Sequence, residues 1–121
     1  MKKNFFLLGM AILAIQTGCY YDVEEELYPD ITCDTSARSY STHIVPILQN
    51  NCYVCHSQAA NLGNVTLEGY NNLKTYVNSG KLLGAIKHQQ GFQPMPQGQP
   101  QLADCSIAQI EAWITDGALD N

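Results

Sequence analysis

Basic residues are scarce in this sequence, which has six Lys and Arg against eleven Asp and Glu and a formal net charge of -5. An acidic chain is a poor partner for nucleic acid, whose phosphates attract Lys and Arg. Strand signals are also missing, because no alternating pattern of apolar and polar residues extends over any length. With 121 residues and no internal repeat, the chain is predicted to form one small, mostly helical domain.

The sequence also lacks an apolar run of the about 20 residues that cross a bilayer. A shorter run, residues 5–15, follows Lys2 and Lys3 and leads through small residues to Cys19. This is the layout of a secretory signal, and it resembles the lipobox of bacterial lipoproteins, in which the cysteine receives a diacylglycerol and becomes the mature N-terminus. We therefore expect residues 1–18 to be a lipoprotein signal peptide and Cys19 to carry the lipid. An ordinary cleaved signal is the alternative.

An acidic stretch without apolar periodicity follows the cysteine, and it includes Glu24, Glu25 and Glu26. Such composition is typical of a solvated tether, which we assign to residues 19–37. The acidic run also resembles export tags of surface-displayed lipoproteins, and a plain linker that keeps the domain off the membrane is the alternative.

Helical spacing of apolar residues begins after the tether, over residues 40–51. Ser41 or Thr42 is expected to cap this first helix, and Pro46 falls near its first turn, where the missing N–H costs least. The helix should deliver the chain to Cys52.

Two further helices are predicted from the same spacing. The first covers residues 70–77 and should end at Gly80. The other is the last helix of the chain and is centred on residues 107–114, with Asp104 as its candidate cap and Gly117 as its stop.

The segment Cys52-Tyr53-Val54-Cys55-His56 has the C-x-x-C-H pattern of c-type haem attachment. Two thiols at this spacing can reach the two vinyl groups on one haem edge and form thioethers. The next residue, His56, is then held against the iron as the proximal ligand. A thioredoxin-like redox pair is an alternative but needs a preceding strand, and a zinc site usually needs a second pair of cysteines.

Met95 is the one methionine that remains after removal of the signal, and it lies between Pro94 and Pro96. These prolines stiffen the loop predicted over residues 89–101, and a soft thioether suits haem iron and raises its potential. Met95 is therefore the candidate sixth ligand. His88 is the rival ligand, and its preferred role is a hydrogen bond to a haem propionate or at the haem rim.

A helix, the C-x-x-C-H motif, the Met95-Pro96 loop and a closing helix with Trp113 and Gly117 follow one another over residues 40–119. In this order they resemble a small class I, monohaem cytochrome c. The resemblance implies an all-α cytochrome c domain over residues 38–121, with the N- and C-terminal helices packed around one covalent haem c. It also implies the cofactor-binding residues Cys52, Cys55, His56 and Met95, of which His56 and Met95 would bind the iron.

Because the first and last helices meet in that family, the resemblance further implies a disulfide between Cys33 and Cys105, which export permits. The chain departs from the family in two places. Ala103 stands where the last helix usually has a Ser or Thr cap. Lysines are also too few to form the ring with which some carriers dock acidic partners.

The function implied by the resemblance is electron transfer in the cell envelope, with redox partner proteins and without enzymatic activity or a small-molecule substrate. The lipid anchor would hold the protein at the outer membrane, facing the periplasm or the cell surface. A haem-based sensor or peroxidase-like protein is the alternative. It requires an open iron position and a distal acid–base residue, for which His88 is the candidate.

Replacement of Cys19 tests the lipid anchor. Since only the thiol can receive the diacylglycerol, Cys19→Ser should move the protein from the membrane fraction to the soluble fraction. The neighbouring Tyr20→Ser keeps the thiol and should stay with the membranes. An anchor elsewhere in the chain would be indicated if Cys19→Ser remained membrane-bound.

Overall fold

A computed structural model describes residues 33–121, and in this range the chain is helical with no strand. The predicted all-α class is confirmed for this part of the protein. The signal peptide, Cys19 and the tether up to residue 32 lie outside the described residues. Among residues 33–121, no helix has both the length and the apolar character needed to cross a bilayer.

Five α-helices and two short turns make up the described fold. The helices are α1 (Val45–Asn51), α2 (Tyr53–His56), α3 (Tyr70–Asn78), α4 (Lys81–Ile86) and α5 (Asp104–Thr115). A π-helical turn, Tyr40–Ile44, leads directly into α1, and a 3₁₀ turn, Leu62–Asn64, interrupts the loop after α2. The π-turn contacts α5, and α4 contacts both α3 and α5, so the first and last helical segments meet.

The first helical segment covers the predicted residues 40–51, but its N-cap is not one of the predicted residues. Ser39, rather than Ser41 or Thr42, is the N-cap, and its side chain accepts a hydrogen bond from the Thr42 N–H at 3.3 Å. Pro46 lies in the first turn of α1, as predicted. Proline has no N–H and crowds the carbonyl four residues before it, so a wide π-turn immediately upstream accommodates its ring.

The ends of the later helices follow the sequence signals at their C-termini but not at the start of α5. Gly80 after α3 and Gly117 after α5 have φ values of 71° and 99°, where glycine is favoured. The N-cap of α5 is Ala103, without a side-chain hydrogen bond. The prediction that Asp104 caps this helix is wrong, since Asp104 is its first residue, where its charge still interacts favourably with the helix dipole.

Trp113 is the largest fully buried side chain of the core. Its ring stacks on Tyr40 with centroids 5.9 Å apart, and Tyr40 meets Tyr70 edge-on at 5.4 Å. The indole N–H donates to the Leu119 carbonyl at 3.0 Å, so the buried polar atom is satisfied. The core therefore joins the π-turn, α3 and α5 through aromatic contacts.

The C-terminal residues close over this core. The Tyr70 hydroxyl and the Lys74 ammonium donate to the Ala118 carbonyl at 2.8 and 2.9 Å. Asn121 accepts from the Tyr40 N–H through its side chain at 2.9 Å and from the Ser41 N–H through its carbonyl at 2.8 Å. The end of the chain thus satisfies two N–H groups that the start of the π-turn leaves without helical partners.

The sulfur atoms of Cys33 and Cys105 lie 2.07 Å apart, at disulfide distance, across a sequence separation of 72 residues. Cys105 is in the first turn of α5, so this bond joins the segment before the π-turn to the last helix. Residues 33–37, assigned to the tether from the sequence, are therefore attached to the helical domain.

Loss of this bond should lower the free energy of unfolding. A disulfide that closes a loop of this size reduces the conformational entropy of the unfolded chain, which stabilises the fold by an amount on the order of 4 kcal/mol. The double variant Cys33→Ser/Cys105→Ser leaves no odd thiol, and its unfolding midpoint in urea should fall well below that of the wild type. Mass spectrometry of unreduced peptides provides the direct check. Free thiols at both positions would contradict the disulfide.

Candidate functional site

The residues of the C-x-x-C-H motif share one helical turn. Cys52 is the junction between α1 and α2, with a φ of -126° and a ψ of -38° that break the helix. Its carbonyl accepts from the Cys55 N–H at 3.1 Å and from the His56 N–H at 2.9 Å. Both cysteines are free, Cys52 partly buried and Cys55 exposed. One helical turn therefore carries two thiols and an imidazole, at positions 52, 55 and 56.

The two thiols differ in environment. Burial raises the pKa of the Cys52 thiol to about 11, so this group stays protonated at neutral pH. Cys55 is exposed, and Val54 between the cysteines is 83% exposed. The outer side of the turn is thus open to an approaching group.

The His56 ring is oriented by the loop that follows the motif. Its Nδ1 lies 3.2 Å from the Val65 carbonyl oxygen. Because a carbonyl only accepts, Nδ1 donates its N–H in this contact, and Nε2 is the nitrogen left for another group. A carbonyl at the far nitrogen is the usual way in which proteins orient a metal-binding histidine. The Leu67 N–H also donates to the His56 carbonyl at 2.8 Å, which fixes the loop to the motif.

Met95 and His88 are brought together at the end of α4. The His88 Nε2 donates to the Met95 carbonyl at 3.0 Å, since the carbonyl cannot be the donor. The Met95 N–H donates to the Ala85 carbonyl at 3.0 Å. From the sequence, the preferred role of His88 is a hydrogen bond to a haem propionate or at the haem rim. Within the chain, its side chain bonds to the backbone of Met95, the candidate sixth ligand.

A contact between Gly84 and Phe92 was not expected from the sequence. A Cβ added to Gly84 would lie 2.4 Å from the Phe92 Cγ, so the ring occupies the space that any side chain would need. Phe92 is in the loop that leads to Met95, and Gly84 is buried within α4. The available signal was an isolated glycine inside a helical pattern, which often marks a close approach.

The remaining histidine, His43, lies in the π-turn, where its Nδ1 accepts from the Ser39 N–H at 3.1 Å. Within residues 33–121, no three or more His, Cys, Asp or Glu side chains form a group that could hold a metal ion. Comparisons with protein-family models, with curated proteins and with solved structures find no match to this chain. Its function is therefore inferred from the residues and contacts of the site.

The Gly84–Phe92 contact leads to a prediction about the loop. Gly84→Ala should force the ring away and lower the free energy of unfolding by about 1–3 kcal/mol, the usual effect of overpacking. In a Phe92→Ala background the same change meets no ring. It should then be neutral or stabilising, because Ala exceeds Gly in helix propensity by about 1 kcal/mol.

Urea unfolding of the four proteins of this double-mutant cycle measures the coupling. Additive effects of Gly84→Ala and Phe92→Ala would show that the ring does not occupy this space in solution.

Proposed function

We propose that this chain is a small c-type cytochrome that transfers electrons in the bacterial cell envelope. One haem c would be bound covalently by Cys52 and Cys55, with His56 and Met95 as axial ligands. The observation that carries the proposal is the C-x-x-C-H turn with two free cysteines and a histidine whose Nε2 is left available by the Val65 contact. The arrangement of helices and the loop before Met95 support it.

The residues present fit a covalently attached haem. The exposed Cys55 thiol and the exposed Val54 leave the motif accessible from outside, as thioether formation requires. With Nδ1 donating to the Val65 carbonyl, Nε2 is the His56 nitrogen that would bind iron, and the carbonyl would increase its basicity. Met95 is partly buried in a loop attached to α4, which restricts where its thioether can lie.

When bound, haem iron exchanges single electrons, and its axial ligands set its potential. The chain's own residues would orient these ligands and limit access to them. His56 is aligned by Val65, and the Met95 backbone is held at both its N–H and its carbonyl. Two well-held protein ligands suit a carrier, because small changes in coordination add little to the barrier of electron transfer.

The alternative, a haem-based sensor or peroxidase-like protein, needs an open iron position and a free acid–base residue. His88 is the candidate for that residue. The hydrogen bond from its Nε2 to the Met95 carbonyl commits that nitrogen to the backbone of the loop. This contact favours the carrier over the enzyme.

A thiol-redox function for Cys52 and Cys55 receives less support. Redox C-x-x-C pairs depend on a cysteine whose pKa is lowered into or below the neutral range. Burial has the opposite effect at Cys52 and raises its pKa to about 11. A strand precedes the motif in thioredoxin-like proteins, whereas α1 precedes it here.

The proposal includes export and a lipid on Cys19, with the protein at the outer membrane and facing the periplasm or the surface. Its partners would be redox proteins of the envelope. With a formal net charge of -5, which becomes more negative when Lys2 and Lys3 leave with the signal, the carrier would favour basic docking surfaces.

The proposal is tested on the exported full chain. Because thioethers do not dissociate, the haem should stay with the protein in denaturing gels and in acidified organic solvent. Cys52→Ala/Cys55→Ala should lose it, whereas His43→Ala, which alters a histidine outside the motif, should keep it. Extractable haem, or none, would exclude a c-type cytochrome.

The same preparation distinguishes a carrier from a sensor or peroxidase. The ferrous protein should not bind carbon monoxide readily, because His56 and Met95 occupy both axial positions. Met95→Ala should open the iron, allow binding and lower the potential, within the range of about 0.8 V over which axial ligands act. Rapid binding by the unmodified protein would overturn the carrier function.

A further inference from the structure

Helix α4 ends in a motif that normally has glycine at the residue after the C-cap. The His88 N–H donates to the Ala85 carbonyl at 3.2 Å, and the Gln89 N–H donates to the Gly84 carbonyl at 2.9 Å. This is the Schellman pattern, in which the residue after the cap adopts the left-handed conformation. His88 is that residue, with a φ of 50°. A histidine here is locally unfavourable relative to glycine, so a compensating contact is expected.

The compensating contact is the hydrogen bond from the His88 Nε2 to the Met95 carbonyl at 3.0 Å. The carbonyl of Ala85 at the same helix end accepts from the Met95 N–H at 3.0 Å. Both polar groups of the Met95 backbone are therefore bonded to the end of α4, the N–H to Ala85 in its last turn and the carbonyl to His88 after its cap. The left-handed conformation of His88 directs the following residues away from the helix. The loop can then fold back and bring the Met95 carbonyl to the His88 side chain.

The loop between His88 and Met95 has a further anchor. The Phe92 ring lies against Gly84, where any Cβ would collide with it. The Phe92 N–H donates to the Gln89 carbonyl at 3.2 Å. The loop is thus held near its start, in its middle and at its end. Only the last of these contacts, from His88 and Ala85, fixes the residue proposed to bind iron.

We propose that His88 is a positioning residue, whose imidazole holds the Met95 backbone so that the thioether is kept at the iron. This inference rests on the proposed function, because it assigns a role to His88 at the same site. It differs from ligation by His88, in which Nε2 would bind the metal. It also differs from a purely structural helix cap, for which glycine would serve better than histidine.

Substitutions of His88 separate these roles. His88→Gly suits the left-handed position and removes the imidazole, so stability in urea should be maintained or raised while Met95 loses one restraint. His88→Gln retains an N–H donor near the position of Nε2 and should preserve the contact. Gln90→Gly adds the same backbone freedom at an exposed position of the loop and serves as the matched control.

Imidazole added to the ferric, haem-loaded protein competes with Met95 for iron. Its apparent affinity, measured by absorbance, should rise about fivefold in His88→Gly, the factor that one neutral hydrogen bond contributes. His88→Gln and Gln90→Gly should remain close to the wild type. An unchanged imidazole affinity in His88→Gly would overturn the inference, and loss of low-spin iron in His88→Gly but not in Met95→Ala would make His88 the ligand.

Amide hydrogen exchange provides a readout that needs no haem. In the unloaded chain, the Met95 N–H should exchange about fivefold faster in His88→Gly than in Gln90→Gly, because the loop opens more often. Equal rates would overturn the positioning role even if the haem is attached as proposed. Faster exchange in His88→Gly, together with an exported wild-type chain that acquires no covalent haem, would support the contact and reject the proposed function instead.

Discussion

The stacking of Tyr40 on Trp113 connects the first helical segment to the last, and the other parts of the fold are arranged around it. Trp113 is 1% exposed, and Tyr70 packs edge-on against the same tyrosine. Because Tyr40 begins the π-turn that continues into α1, this contact determines where α1 lies and thus where the chain enters Cys52. The disulfide and the bonds of Asn121 secure the same end of the domain.

Three of the helical segments could be predicted from sequence because their signals are local. Apolar spacing and the glycines at 80 and 117 act within one or two turns of the chain, and the structure follows them. The N-caps were harder, because Ser39, Ser41 and Thr42 all offer an oxygen at the right place. Which one bonds depends on where the π-turn begins, and that depends on tertiary packing and on the proline within α1 rather than on cap preference.

The candidate site was predictable only in part, because some of its contacts also depend on tertiary packing. The C-x-x-C-H motif is contiguous, so its residues could be recognised without knowing the fold. The partners that orient them are backbone carbonyls, at Val65 for His56 and at Met95 for His88. Every residue has a carbonyl, so no residue type marks these contacts in a sequence. The Gly84–Phe92 contact is weakly visible in the sequence because it leaves room only for glycine at position 84.

His88 illustrates how local and tertiary requirements conflict at such a site. A helix end that favours glycine carries a histidine instead, and the loss in backbone preference is offset by a contact seven residues away. A sequence that violates one local rule usually does so where function requires it. A glycine would suit the left-handed residue after the α4 cap better but would provide no side chain to bond the Met95 carbonyl. For the proposed carrier, whose ligands should move little between oxidation states, the restraint on Met95 would offset the lower local stability of the helix end.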